Sequence, residues 1–150
     1  MMRYIGIDPG SSSGNIAIIT RCTYSVFKFK DTTLRDMFEY LNLYKDNSIA
    51  ILEKVWGVPG MSVKAVSSFI KNVGHIEAML TAVSIPWEEQ TPSSWMKHFG
   101  MKKDKNETKP QWKSRLRELA ERRMPEAPIN RENADAFLIA LYCKETNDGS

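Results

Sequence analysis

Residues Tyr4 to Ile7 form an apolar run that delivers Asp8 to the point where Pro9-Gly10 stops it. The run reads as a buried strand, Arg3–Ile7, and the Pro-Gly pair as its terminating turn. A carboxylate at the end of a buried strand is costly to desolvate unless a metal ion or a hydrogen-bonding loop compensates it. The following Ser11-Ser12-Ser13-Gly14 is small and flexible, so substrate or backbone could come close. Taken alone, the same residues also suit a plain strand-ending turn in which Asp8 caps local amides.

The rest of the chain sets this strand in a sheet. Asn15–Thr20 and Tyr24–Lys30 read as two more strands at hairpin-like spacing. Thr33-Leu-Arg-Asp36 has a capping-box pattern, and Leu34, Met37, Phe38 and Leu41 follow at helical spacing, which predicts a helix over 33–44. Ile49–Glu53 is a second short apolar run that ends in an acid, and Gly57-Val-Pro-Gly60 breaks the chain after it. Ser62 to Ser84 is a long helical stretch with Val66, Phe69, Ile70, Val73, Ile76, Leu80 and Val83 on one broad face. Pro86–Gln90 is a strand candidate, and Thr91-Pro92 a helix start with Thr91 as N-cap. Lys109 or Pro110 to Arg123 forms a basic helix, and Arg131 to Lys144 the last helix, whose Ala134, Ala136 and Ala140 permit close approach to a sheet. Strands first, then strands alternating with helices, predict an α/β fold: one domain over 1–150, a mixed sheet with helices on its faces.

Charge narrows the choice of partner. The net charge is only +3. Between Lys97 and Arg123, however, ten basic residues face four acids, and the remainder of the chain is net acidic. An acidic body with one basic arm suits a partner that carries a phosphate chain, although a solvated charge-rich helix has the same composition. The 150 residues are enough for a sizeable core. No apolar run reaches the roughly 18 residues of a membrane span, and no secretory signal is visible at the N-terminus. Cys22 and Cys143 lie outside any CxxC pattern, which argues against a zinc site and fits free thiols in a reducing cytoplasm.

Three acidic sites, four residues in all, then stand out. Asp8 and Glu53 end separate strands, and Glu132 and Asp135 lie three residues apart, on one side of the expected final helix. Parallel neighbouring strands could bring Asp8 and Glu53 together, with the helical pair beside them. Such a cluster repels itself without cations. Its oxygen donors suit Mg²⁺ or Mn²⁺, and two such ions about 3.5–4 Å apart would activate a water and stabilise the leaving oxygen of a phosphodiester. Alternatively, Glu132 and Asp135 serve only to favour a helix N-terminus.

These segments, in this order, resemble a RuvC-type Holliday junction resolvase of the RNase H-like superfamily, over nearly the whole chain. Gly6-Ile7-Asp8-Pro9-Gly10 is similar to the first motif and Leu52-Glu53-Lys54-Val55-Trp56 to the second. Gly74 to Ala82 resembles the long central helix, Thr91 to Trp95 the segment after the last strand, and Lys109-Pro-Gln111 the basic motif. Asn133-Ala-Asp135-Ala136 with Leu138-Ile-Ala140 is similar to the last. The resemblance implies an RNase H-like, mixed five-stranded sheet flanked by helices and a homodimer that cuts four-way DNA. It implies two Mg²⁺ per site, with Mn²⁺ able to substitute, held by Asp8, Glu53, Glu132 and Asp135 as the catalytic set. Paired nicks would leave a 5′-phosphate and a 3′-hydroxyl, with no protein nucleophile and no nucleotide cofactor. Trp56 takes the aromatic position that meets unstacked junction bases, a contact worth about 1–3 kcal/mol per base. Glu132 stands where Asp or His is common, and its longer reach implies a different metal preference; the Gly57–Met61 loop and the Lys102–Thr108 stretch also depart from the usual form, and these loops with the compact length suit a phage or virus-like relative.

Lys54 is placed to touch phosphate beside the site, and Lys102, Lys103, Lys105, Lys109, Lys113 and Arg115 to grip phosphates outside the chemistry. Trp95 and Trp112 read as packing residues on amphipathic helices, and the apolar stripe of 62–84 as part of a dimer contact. Three other readings compete. An RNase H-like nuclease could act on RNA–DNA hybrids or on branched DNA in general. An actin- or sugar-kinase-like ATPase also uses an acid-and-glycine turn, but needs two lobes where this length holds one. A DNA-binding module without catalysis would have no use for four acids.

Overall fold

Residues 1–55 and 60–148 are described by the structure, a computed structural model. Five strands, β1 (Arg3–Asp8), β2 (Asn15–Ile19), β3 (Tyr24–Lys28), β4 (Ser48–Glu53) and β5 (Trp87–Gln90), form one sheet in the order β3-β2-β1-β4-β5. β1–β2 and β2–β3 pair antiparallel, β1–β4 and β4–β5 parallel. The helices are α1 (Leu34–Leu43), α2 (Val63–Ala82), α3 (Pro92–His98), α4 (Lys109–Arg123) and α5 (Ala134–Asn147).

Strand periodicity divides the core in two. Ile5 and Ile7 of β1, with Ile16, Ile18, Ala50 and Leu52, point to one face, where Met37 and Leu41 of α1 and Ile76 and Leu80 of α2 cover them. Tyr4, Ala17, Ile19 and Ile51 point to the other, against Trp95 of α3, Leu116 and Leu119 of α4, and the buried side of α5. Each such Ile or Leu contributes about 1.5–3 kcal/mol by leaving water. The central strands read as nearly continuous apolar runs because both faces are covered.

Gly6 determines how closely α5 approaches. A Cβ there would stand 2.2 Å from the backbone N of Ala140 and 2.3 Å from the carbonyl O of Ala136, so only glycine lets α5 lie directly on β1. The small residues expected to allow this, Ala134, Ala136 and Ala140, are all buried in the contact.

Element boundaries depart from expectation where side chains intervene. β3 ends at Lys28 instead of Lys30: Thr32 Oγ1 donates to the carbonyls of Lys28 and Phe29, and Asp31 turns left-handed at φ 59°. The last helix begins at Ala134, not Arg131. Asn130 Oδ1 accepts from the amides of Glu132 and Asn133, and Asn133 Oδ1 accepts from the amide of Asn130, which ties residues 130–133 into a turn. Glu132 therefore lies ahead of the helix rather than on it. The Thr33–Asp36 capping box is present, and Ser62 caps α2 through the amide of Ala65. Of the broad α2 stripe, Ile76, Leu80 and Val83 are buried, while Ile70 is 62% exposed. Trp56 and the Gly57-Val58-Pro59 part of the expected break lie outside the described residues.

Candidate active site

The register of β1 and β4 brings the two strand-end acids together. Gly6 pairs with Ile51 and Ile7 with Leu52, so Asp8 and Glu53 finish adjacent parallel strands on the face covered by α3, α4 and α5. Parallel strands with helical crossovers open a crevice at their carboxyl ends, where open α/β sheets bind ligands. Asp135 is the second residue of α5, next to Ala136, whose carbonyl lies over Gly6 two residues before Asp8.

The three carboxylates feel one another. Burial first, then the charge of Asp135, raises Asp8 from 3.8 to about 6, against the Gly10 amide and Lys113, which lower it. Burial, then Asp8, raises Glu53 from 4.5 to about 8, with Asp135 adding to the effect and Trp95 and Lys113 opposing it. Low-dielectric surroundings and like-charge neighbours act in the same direction on a carboxyl group.

Each member is held from behind. Gly10 N–H donates to Asp8 Oδ1 at 3.4 Å, and the loop closes through Gly14 N–H on Gly10 O at 2.8 Å. A Cβ on Gly14 would fall 2.3 Å from the carbonyls of Asp8 and Gly10, which explains the small residue there. Asn72 of α2 donates to Pro9 O at 2.9 Å. Trp95 Nε1 donates to Glu53 Oε2 at 2.7 Å, and both residues are buried. Lys113 Nζ lies 3.3 Å from Asp135 Oδ2. Buried Asn15 donates to the carbonyls of Ser13 and Glu132, which fastens the turn before α5 to the loop after β1.

Glu132 is exposed at the rim of the cluster. With Asp8, Ser13, Lys109, Lys113 and Arg131 it lines an open groove of about 360 Å³. The expected pocket of four acids is thus three carboxylates together and a fourth at the mouth. Among the described residues, no three Asp, Glu, His or Cys side chains close around a common point that would hold an ion as they stand. The donor set nevertheless fits a hard divalent ion: the groups are carboxylate oxygens, and Lys113 pairs with Asp135 at their edge.

The other basic positions divide. Lys113, expected away from the acidic cluster, pairs with Asp135 within it. Lys109 lines the groove, and Lys102, Lys103 and Lys105 are exposed on the loop before α4. Lys54 follows Glu53 and lies 3.9 Å from Glu89. Arg115, expected to grip phosphate, is engaged within the chain: it bonds Glu107 at 2.7 Å and the Lys102 carbonyl at 3.2 Å, and stacks over Trp112. It braces the lysine loop. Ser13, from the Ser-rich loop expected to let substrate come close, lines the groove. Sequence reasoning missed Arg131, which lines it too, and the indole donor of Trp95. The basic residue before Glu132 is a legible signal for the first; nothing local marks the second.

No family model matches the chain, and no curated protein matches it in sequence. Solved structures do match. Thermus thermophilus RuvC in complex with a Holliday junction substrate aligns with a TM-score of 0.65 at 15% identity, over 93% of this chain and 91% of that one. A structure of Thermus thermophilus RuvC aligns with a TM-score of 0.62, also at 15% identity, over 93% and 92%. At this identity the likeness is one of fold: the chain has the fold of these RuvC structures, a mixed five-stranded sheet with helices on both faces.

Proposed function

We propose that this protein is a divalent-metal-dependent endonuclease that cuts branched DNA, four-way junctions above all. The observation that carries the reading is the carboxylate trio at the carboxyl edge of β1 and β4, with Glu53 buried and Asp8 and Asp135 half-buried, and with Asp8 lining a groove shared with Lys109, Lys113 and Arg131. One of the matched RuvC structures holds a Holliday junction substrate, which supports the choice of DNA.

Asp8, Glu53 and Asp135, with Glu132 from the rim, would hold Mg²⁺ or Mn²⁺. Bound there, the ions supply an activated water and charge stabilisation for in-line displacement at phosphorus. The protein does the remainder. Asp8 is fixed by its own loop amide, Glu53 by Trp95 and Asp135 by the packing of α5. Lys109, Lys113 and Arg131 draw the scissile phosphate toward the carboxylates that would otherwise repel it. The loop braced by Arg115 presents Lys102, Lys103 and Lys105 to flanking phosphates. Trp56 is proposed to stack on an unpaired base. The exposed half of α2, with Val63 and Ile70, is proposed to meet a second copy, whose two-fold axis would match the symmetry of a junction.

The test is cleavage of synthetic four-way junctions, forks, linear duplexes and RNA–DNA hybrids under one salt condition with Mg²⁺. Paired nicks on junctions are expected. Asp8→Asn and Glu53→Gln should abolish cutting while junction binding stays measurable. Cutting by either folded variant at near wild-type rate would refute the assignment, and preference for hybrids would move it to the RNase H-like alternative.

A further inference from the structure

Trp95 does more than fill the core. Its indole is fully buried, and Nε1 donates at 2.7 Å to Oε2 of Glu53. Buried indoles find a partner for their N–H, and a backbone carbonyl would satisfy that need. Here the partner is one of the three carboxylates of the proposed site. The donor direction is fixed by the ring plane, and the ring is packed among the residues of α4, α5 and β4. A glutamate has three rotatable side-chain bonds, so an anchored donor removes freedom that ligand binding would otherwise have to remove. The donor is also neutral. It orients the carboxylate without cancelling its charge, unlike Lys113 at Asp135.

We infer that Trp95 is a positioning residue for the cation site: its N–H engages Oε2 of Glu53, fixes the side-chain rotamer, and leaves Oε1 to meet a divalent ion. This inference rests on the nuclease reading of the same site.

The experiment is Mn²⁺ binding to the full chain by calorimetric titration, in a double-mutant cycle of wild type, Trp95→Phe, Glu53→Gln and the pair. Trp95→Phe should weaken Mn²⁺ binding about three- to tenfold, the effect of freeing one rotamer-rich side chain. The same change should have no effect in the Glu53→Gln background. A role confined to packing would shift both backgrounds alike, and that result, or no shift in either, overturns the inference. Should Trp95→Phe fail to fold, the wild-type protein serves. With ¹⁵N-labelled tryptophan and assignment by Trp56→Phe, Trp87→Phe and Trp112→Phe, Mg²⁺ should move the Trp95 indole N–H resonance more than the other three. An unmoved Trp95 signal in Mg²⁺-saturated protein overturns the inference. The two readings fail separately: Mn²⁺ coupling without cleavage of any DNA sinks the nuclease reading alone, and cleavage without coupling sinks the role of Trp95 alone. Wild-type protein that binds no Mn²⁺ refutes both.

Discussion

Gly6→Ala is the sharpest probe of how the fold makes the site. The added methyl would lie 2.2 Å from Ala140 N, 2.3 Å from Ala136 O and 2.8 Å from Ala140 Cα. These are backbone atoms in the middle of a helix, so no rotamer change relieves the overlap. Ordinary contact begins near 3.4 Å, and α5 must therefore retreat from β1 by about an ångström. Overpacking of this kind costs about 1–3 kcal/mol or somewhat more, which for a chain of this length lowers Tm by roughly 3–10 °C. Asp135 moves with α5, and a 1 Å misplacement of a catalytic group can cost on the order of 100-fold in rate. Urea denaturation gives the stability change, and single-turnover cleavage at a temperature where the variant is folded gives the rate. Ala140→Gly should not rescue it, because the obstructing atoms belong to the main chain. A Gly6→Ala protein of unchanged stability and rate would refute the idea that close docking of α5 sets Asp135.

Metal-free stability should depend on pH in an unusual direction. Asp8 and Glu53 titrate near 6 and 8 in the folded chain against ordinary values of 3.8 and 4.5, so between about pH 4 and 8 the folded state binds more protons than the unfolded one. Stability in EDTA therefore falls as pH rises through that window, and Glu53→Gln flattens the fall; denaturation at pH 5 and pH 8 measures both. Lys113→Met removes the cation beside Asp135 and should tighten Mn²⁺ binding by about 0.5–1 kcal/mol while slowing cleavage, to be read by titration and single-turnover assay. Junction binding should weaken steeply with salt, and Lys109→Ala should reduce the slope of log K against log[salt] by about 1.

The strands were legible because β1, β2 and β4 are apolar runs bounded by turns, and the two catalytic candidates at their ends could be picked out as acids where desolvation is costly. The pairing of Asp8 with Glu53 could be anticipated but not fixed, since register depends on both cores at once. Periodicity starts the last helix at Arg131, three residues before Ala134, because the side-chain hydrogen bonds of Asn130 and Asn133 replace helical ones without changing the apolar pattern. The apolar positions of 62–84 spell one continuous face, whereas only its second half is buried, Ile76, Leu80 and Val83 against an exposed Ile70. Lys113 and Arg115 are alike in sequence, yet two positions along α4 separate a partner of Asp135 from a brace for the 102–107 loop. The Trp95 bond spans 42 residues, and no local pattern encodes it.

The order in which the three carboxylates occur along the chain has a consequence for biosynthesis. Asp8 and Glu53 leave the ribosome long before Asp135, which belongs to the final described element. On the proposed reading, a nascent chain cannot damage DNA until α5 has been made and has settled over Gly6, so competence arrives only with the closing of the last layer.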